Sequence, residues 1–239
     1  MHERRSRRRQ SAHLDGCVPS CYIAAKHDHR PQAMIIIRAT CSAVLSAMAI
    51  LRPVAAADSA DYITLERLSP RVALAYWVGT DRRCNLTAIQ STKGLVIVDT
   101  EMSPRIMAPI KERLEQHFGR SDWIYAVNTH AHDSHAGGNC LFPGATIVGH
   151  TNLAQDQQWL IHRQRDPDAQ RRALDGMDQT VRRFRALLPQ VAGRPAEQRL
   201  VRGEIRFWEL HRQDLQEGYE IVPPTLTFAD RPTIDLGDL

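Results

Sequence analysis

Apolar and polar residues alternate through Val72, Leu74, Tyr76 and Val78, the period of a strand with one buried face. Arg82-Arg83 marks a turn, and Asn85-Leu86-Thr87-Ala88-Ile89 reads as a second strand before another turn at Lys93-Gly94. Leu95-Val96-Ile97-Val98 is β-branched without alternation, which fits a strand covered on both faces and ending at Asp99-Thr100. Ser103-Pro104 opens a helix, Ser as N-cap and Pro at the first helical position. Ile106, Ile110, Leu114 and Phe118 then recur at helical spacing, and Gly119 closes the element. Trp123–Val127 and Ala145–Val148 are two further strands. Hairpins followed by strand–helix–strand indicate an α/β fold with a mixed sheet.

From Asn152 to Gln216 the chain turns to Arg, Gln, Glu and Leu, interrupted at Asp166-Pro167 and Gly193-Arg194-Pro195. This segment, 152–216, reads as two or three helices. Their apolar stripe suits a lid, a partner surface or packing on the sheet. Pro223-Pro224 ends it, and Leu226, Phe228, Ile234 and Leu236 look like resumed strand. His117, His162 and His211 fall in charged helical contexts and read as solvated.

The region before Asp58 differs in kind. Residues 1–57 carry nine Lys or Arg against three Asp or Glu, and the other 182 carry 22 against 24. The overall charge of +4 therefore sits in a basic leader, and it is no argument for nucleic-acid binding by the domain. Arg38, the apolar stretch Ala39–Leu51 and the small-residue ending Val54-Ala55-Ala56-Ala57 make a secretory signal peptide. The stretch is shorter than the roughly 20 residues of a membrane span. The expected organisation is a basic leader (1–33) ahead of a start at Met34, a signal peptide (34–57) and one domain (58–239), periplasmic or secreted. With 43% hydrophobic and 24% charged residues, the chain has the composition of a globular domain, not of a collagen or a disordered polymer. Of five cysteines only Cys84 and Cys140 lie after residue 57, too few for a disulfide framework, and they read as buried free thiols.

The chemistry concentrates in Asn128-Thr129-His130-Ala131-His132-Asp133-Ser134-His135-Ala136-Gly137-Gly138-Asn139. Three histidines within six positions directly follow an apolar strand. Neutral imidazole is a common zinc ligand, and on an extended strand end His130 and His132 point to one side. His135, after a bend, turns toward the same ion or a second one. Gly137-Gly138 allows close backbone passage.

In this loop the chain resembles the metallo-β-lactamase-fold hydrolases, whose pattern is a strand followed by His-x-His-x-Asp-His. Gly94-Leu95-Val96-Ile97-Val98-Asp99-Thr100 and Gly144-Ala145-Thr146-Ile147-Val148-Gly149-His150 agree with it in order. The resemblance implies an αββα sandwich, here interrupted by the helical segment, with one or two zinc ions at one edge. It implies His130 and His132 as ligands of the first ion, His135 of the second, and a metal-bound hydroxide attacking an ester, amide, thioester or lactam of a small-molecule substrate.

Two departures qualify the likeness. The family's aspartate falls at Ser134, while the acid here is Asp133, which substitutes only if the loop shifts. The family's remaining ligands would follow the strand near Leu226, so the chain is expected to represent the N-terminal part of the sandwich. A metal-binding remnant without turnover is the alternative to a working hydrolase. Asp99 is read either as support for a ligand or as a turn-forming residue, and His150 as a cap of the following helix.

Overall fold

The computed structural model describes residue 59, residues 61–79 and residues 84–238. The basic leader, the signal peptide and the Arg82-Arg83 turn lie outside the described residues. β1 (Ile63–Arg67), β2 (Val72–Trp77), β3 (Leu86–Gln90), β4 (Leu95–Val98), β5 (Trp123–Val127), β6 (Thr146–His150) and β7 (Leu226–Phe228) form one seven-stranded sheet in chain order. The first four strands each pair antiparallel with the next in the chain, and β4 to β7 pair parallel through crossovers. The crossovers carry α1 (Pro104–Phe118), the short α2 (Asp133–Ala136), and then α3 (Thr151–Arg165), α4 (Pro167–Leu187) and α5 (Pro195–Glu217). The expected mixed α/β sheet with a helical insertion is the observed one.

The pleat sorts the sheet into two faces. Ala73, Ala88, Ile97, Ala126 and Ile147 form one lateral row across five strands, all buried against Ile106, Ile110 and Leu114 of α1 and Phe207 of α5. Alanine in this row lets the helices approach, and each fully buried branched side chain contributes about 1.5–3 kcal/mol. The row behind it, Leu74, Thr87, Val98, Val127 and Val148, is half-buried except for Val148. β4 is buried on both faces through Leu95, Val96 and Ile97, as its unbroken β-branched run required.

α1 begins as the Ser103-Pro104 pair dictates, with Ser103 extended at the N-cap and proline in the first turn, but Ser103 Oγ makes no capping bond. Asp214 of α5 takes that role: its carboxylate accepts from the Arg105 backbone N–H at 2.7 Å and pairs with the Arg105 guanidinium at 2.5 Å. α3 and α4 meet at Asp166-Pro167, where Asp166 caps α4 by accepting from Asp168 N–H. α5 lies on the sheet, with the Trp77 indole N–H donating to Gly203 O at 3.0 Å and Phe207 edge-on to Trp77. A Cβ at Gly203 would stand 2.3 Å from Val78 O, so this approach needs glycine.

Two readings are corrected, and one strand is added to them. β1 precedes the first strand read from the sequence, although Ile63 and Leu65 alternate. The strand resumed at Leu226 stops at Phe228, and Ile234 and Leu236 lie in irregular chain. Pro232 removes a ladder donor there, and Asp235 and Asp238 turn aside to Lys93 and Thr92. His211 is buried, not solvated, because Phe207, His211 and Leu215 recur every four residues on the packed face of α5. Cys84 and Cys140 are free and buried. No helix among the described residues is long and apolar enough to cross a membrane.

Candidate metal centre

β4 and β5 end side by side at Val98 and Val127, on the carboxyl edge of the parallel strands where open α/β sheets bind ligands. Two loops leave that edge, Asp99–Met102 and Asn128–Asn139, and they are locked together through backbone and amide groups. Thr100 N–H donates to His135 O at 3.0 Å, and Gly137 N–H donates to Glu101 O at 2.9 Å. Asn128 and Asn139 bond reciprocally, and Asn139 also reaches Val222 O and accepts from the Thr100 hydroxyl. Gly137 and Gly138 have the role expected of them: a Cβ on either would stand 2.0 Å from Met102 O or 2.2 Å from Thr100 O. Asp99 and Glu101 take positive φ, 64° and 61°, a conformation that costs non-glycine residues on the order of 1–3 kcal/mol and concentrates at functional sites.

Asp99 is the organising carboxylate. Its Oδ1 accepts from Thr129 N–H at 2.8 Å, and its Oδ2 lies 2.8 Å from both Thr129 Oγ1 and His135 Nδ1. As a carboxylate Asp99 only accepts, so these contacts place a proton on His135 Nδ1 and leave Nε2 with its lone pair. The Thr129 hydroxyl, donating to Asp99, accepts from His130 Nδ1 at 3.0 Å, and His130 Nε2 is likewise left as a lone pair. This is the way a carboxylate behind a ligating histidine fixes its tautomer and orientation. His130 Nε2 stands 3.1 Å from His132 Nδ1, and the His130 and His135 rings lie tilted at 47° with centroids 3.8 Å apart. Two nitrogens on one tetrahedral zinc at 2.0–2.1 Å would be about 3.3 Å apart, so the spacing of His130 and His132 fits a shared ion. Burial, and then the neighbouring His135 and His132, lower the pKa of His130 and favour the neutral form that binds metal.

Asp133 is oriented elsewhere. Its carboxylate accepts from Ser134 N–H at 2.9 Å and lies 3.6 Å from Arg163 on α3. It lines a cleft of about 340 Å³ between the helical segment and the Met102 loop, together with Leu160, Met177, His211 and Tyr219. None of His130, His132 and His135 lines that cleft. His150 caps α3 through Nδ1, and its Nε2 meets Ala229 O at 3.0 Å, so both ring nitrogens are engaged.

Two groups at this edge were not singled out from sequence. Glu101 is fully enclosed, its Oε2 accepting from Met102 N–H, and burial raises its pKa to about 8. Cys84 Sγ lies 3.5 Å from His135 Nδ1, and burial, reinforced by Glu101 and Asp99, pushes the thiol pKa upward. Glu101 belonged to an acidic Asp-Thr-Glu run at a strand end, a signal in plain view. Cys84 carried none, since its neighbourhood depends on β3 and β5 both flanking β4.

A histidine loop at the carboxyl edge of parallel strands, steadied by a carboxylate from the adjacent strand, is the architecture of a metal-dependent hydrolase fold. The chain belongs to the metallo-beta-lactamase superfamily, whose sequence pattern matches residues 79–228. Among solved structures it is similar to the metallo-β-lactamase FIM-1 from Pseudomonas aeruginosa in its mono-zinc form, at 18% identity and a TM-score of 0.37, over 41% of this chain and 46% of that one. A metallo-β-lactamase from Pontibacter korlensis is similar at 17% identity and a TM-score of 0.36, over 39% and 46%. One from Hirschia baltica is similar at 18% identity and a TM-score of 0.36, over 40% and 46%. The chain thus spans just under half the length of these relatives. No curated protein matches the sequence.

Proposed function

We propose that this chain acts as an exported zinc-dependent hydrolase on a small-molecule ester, amide, thioester or lactam. The observation that carries the reading is the Asp99 network, which leaves lone pairs on His130 Nε2 and His135 Nε2 while His130 and His132 approach at 3.1 Å. Zinc held by His130, His132 and His135 would supply Lewis acidity, lowering the pKa of water from 15.7 to about 7. The chain's own contribution is orientation. Asp99 and Thr129 hold two imidazoles in the ligating tautomer, and the Gly137-Gly138 passage keeps the loop against Met102. Export rests on the segment 34–57, and amino-terminal sequencing of secreted protein is expected to give a start near Asp58.

The test is metal content with and without the network. His130→Ala/His132→Ala is expected to lose hydrolysis and the zinc that these two imidazoles hold. Asp99→Asn is expected to bind zinc about 10–100-fold more weakly. Zinc content and hydrolysis both unchanged in the double variant would overturn the site, and iron or manganese in place of zinc would overturn the metal. Ser134 and the orientation of Asp133 favour a second reading, metal binding without turnover. That reading predicts one zinc per chain and no hydrolysis across a panel of esters, thioesters and lactams.

A further inference from the structure

His135 presents two edges, and the hydrolase reading uses only one. The hydrolase reading assigns its Nε2 to the ion of His130 and His132, whereas its Nδ1 faces inward to Asp99 Oδ2 at 2.8 Å and Cys84 Sγ at 3.5 Å. The three inward ligand atoms, thiol, carboxylate and imidazole, all lie within 4.8 Å of one another. A sulfur and a nitrogen on one tetrahedral zinc, at 2.3 and 2.0–2.1 Å, stand about 3.5 Å apart, the separation found here.

The electrostatics favour a cation at the same spot. Asp99 and Glu101 both bear on Cys84, and the Glu101 backbone N–H points at its sulfur. Cys84, Asp99 and Glu101 are 1%, 4% and 1% exposed, so three ionisable acids share one enclosed volume. A divalent ion with one thiolate and one carboxylate is neutral overall, which removes the cost of enclosing a net charge.

We propose that Cys84, Asp99 and His135 Nδ1 form a second, inner site for a thiophilic divalent cation such as zinc. Binding replaces the S–H bond with an S–metal bond and releases that proton to solvent. The His135 proton moves from Nδ1 to Nε2. A neutral imidazole offers one lone pair, so His135 serves the inner or the outer ion at a given moment. The inner site goes beyond the hydrolase reading and survives its failure, because His130 and His132 take no part in it.

Cobalt(II) is the probe, since a thiolate ligand gives it an intense near-ultraviolet charge-transfer band that imidazole and carboxylate do not. The parent is the full chain carrying Cys17→Ser, Cys21→Ser and Cys41→Ser, which leaves Cys84 and Cys140 as its thiols. The band is expected in the parent, in Cys140→Ser and in His130→Ala/His132→Ala, and is expected to vanish in Cys84→Ser. Visible cobalt bands without charge transfer, lost in the His130/His132 variant, would overturn the inner site and leave the outer one standing. No cobalt bands in any form would remove both. Because Cys84→Ser changes a buried position, cadmium-113 NMR of the unsubstituted-Cys84 parent gives a second measure. A shift in the sulfur-ligated range supports the inner site, and a resonance confined to the nitrogen and oxygen range overturns it.

Discussion

The loop from Asn128 to Asn139 and the helices from Thr151 to Glu217 follow one another along the chain but are held by different forces. The loop is fixed by backbone groups and side-chain amides meeting the Asp99–Met102 segment, with glycine where Cβ atoms have no room. The helices are held by an apolar stripe, by one buried aspartate, Asp214, and by ion pairs at the surface such as Arg185–Glu209. Around the loop, a displacement of a few tenths of an ångström breaks hydrogen bonds. Around the helices the same displacement repacks side chains, and a cleft of about 340 Å³ is tolerated. The difference shows where positional accuracy was required: at the imidazoles, and not at the helical cover.

The sharpest way to break that contrast is Gly137→Ala. Its φ is an ordinary −66°, so the obstacle is space alone, with Met102 O only 2.0 Å from the added carbon. Backbone cannot move aside as a side chain can, and a loss of about 3 kcal/mol or more is expected in urea unfolding, together with loss of metal. Next in size is Glu101→Gln in metal-free protein. Glu101 has a folded pKa of about 8 against an ordinary 4.5, so its contribution to stability is complete below about 4.5 and is lost as pH rises through 8. At about 1.4 kcal/mol per pH unit within that window, the native protein is expected to lose a few kcal/mol between pH 5 and 9. The variant is expected to lose less, and equal pH slopes would sink the assignment. The smallest effect belongs to the helices. Arg185→Ala removes a pair whose side chains are 60% and 35% exposed, and a change within about 0.5 kcal/mol is expected.

How much of this could be read from sequence follows the same division. Elements with local causes were legible: Ser103-Pro104 opened α1, Gly119 closed it at φ 65°, and Asp166-Pro167 separated α3 from α4. The need for Gly137-Gly138 was legible because close passage is written in adjacent residues, and the strand end that carries the His130–His135 loop was legible from the apolar run before it. What escaped depends on partners far away in sequence. Asp214 caps a helix through Arg105, 109 residues earlier, and Cys84 meets a histidine 51 residues later. His211 was misjudged because the charges around it outweighed its four-residue spacing from Phe207 and Leu215. Asp99 stood open between a supporting role and a turn, and its contacts with Thr129 and His135 depend on a loop 30 to 36 residues further on.

The indole of Trp77 and the carbonyl of Gly203 join positions 126 residues apart. That separation has a consequence for the order in which the molecule forms. β1 to β4 pair with their sequence neighbours and close at little entropic cost, whereas docking α5 on β2 closes a far longer loop and is expected to come later. Contacts made so late are absent from the folding transition state, so loosening the Gly203 approach is expected to hasten unfolding while leaving the rate of folding nearly unchanged.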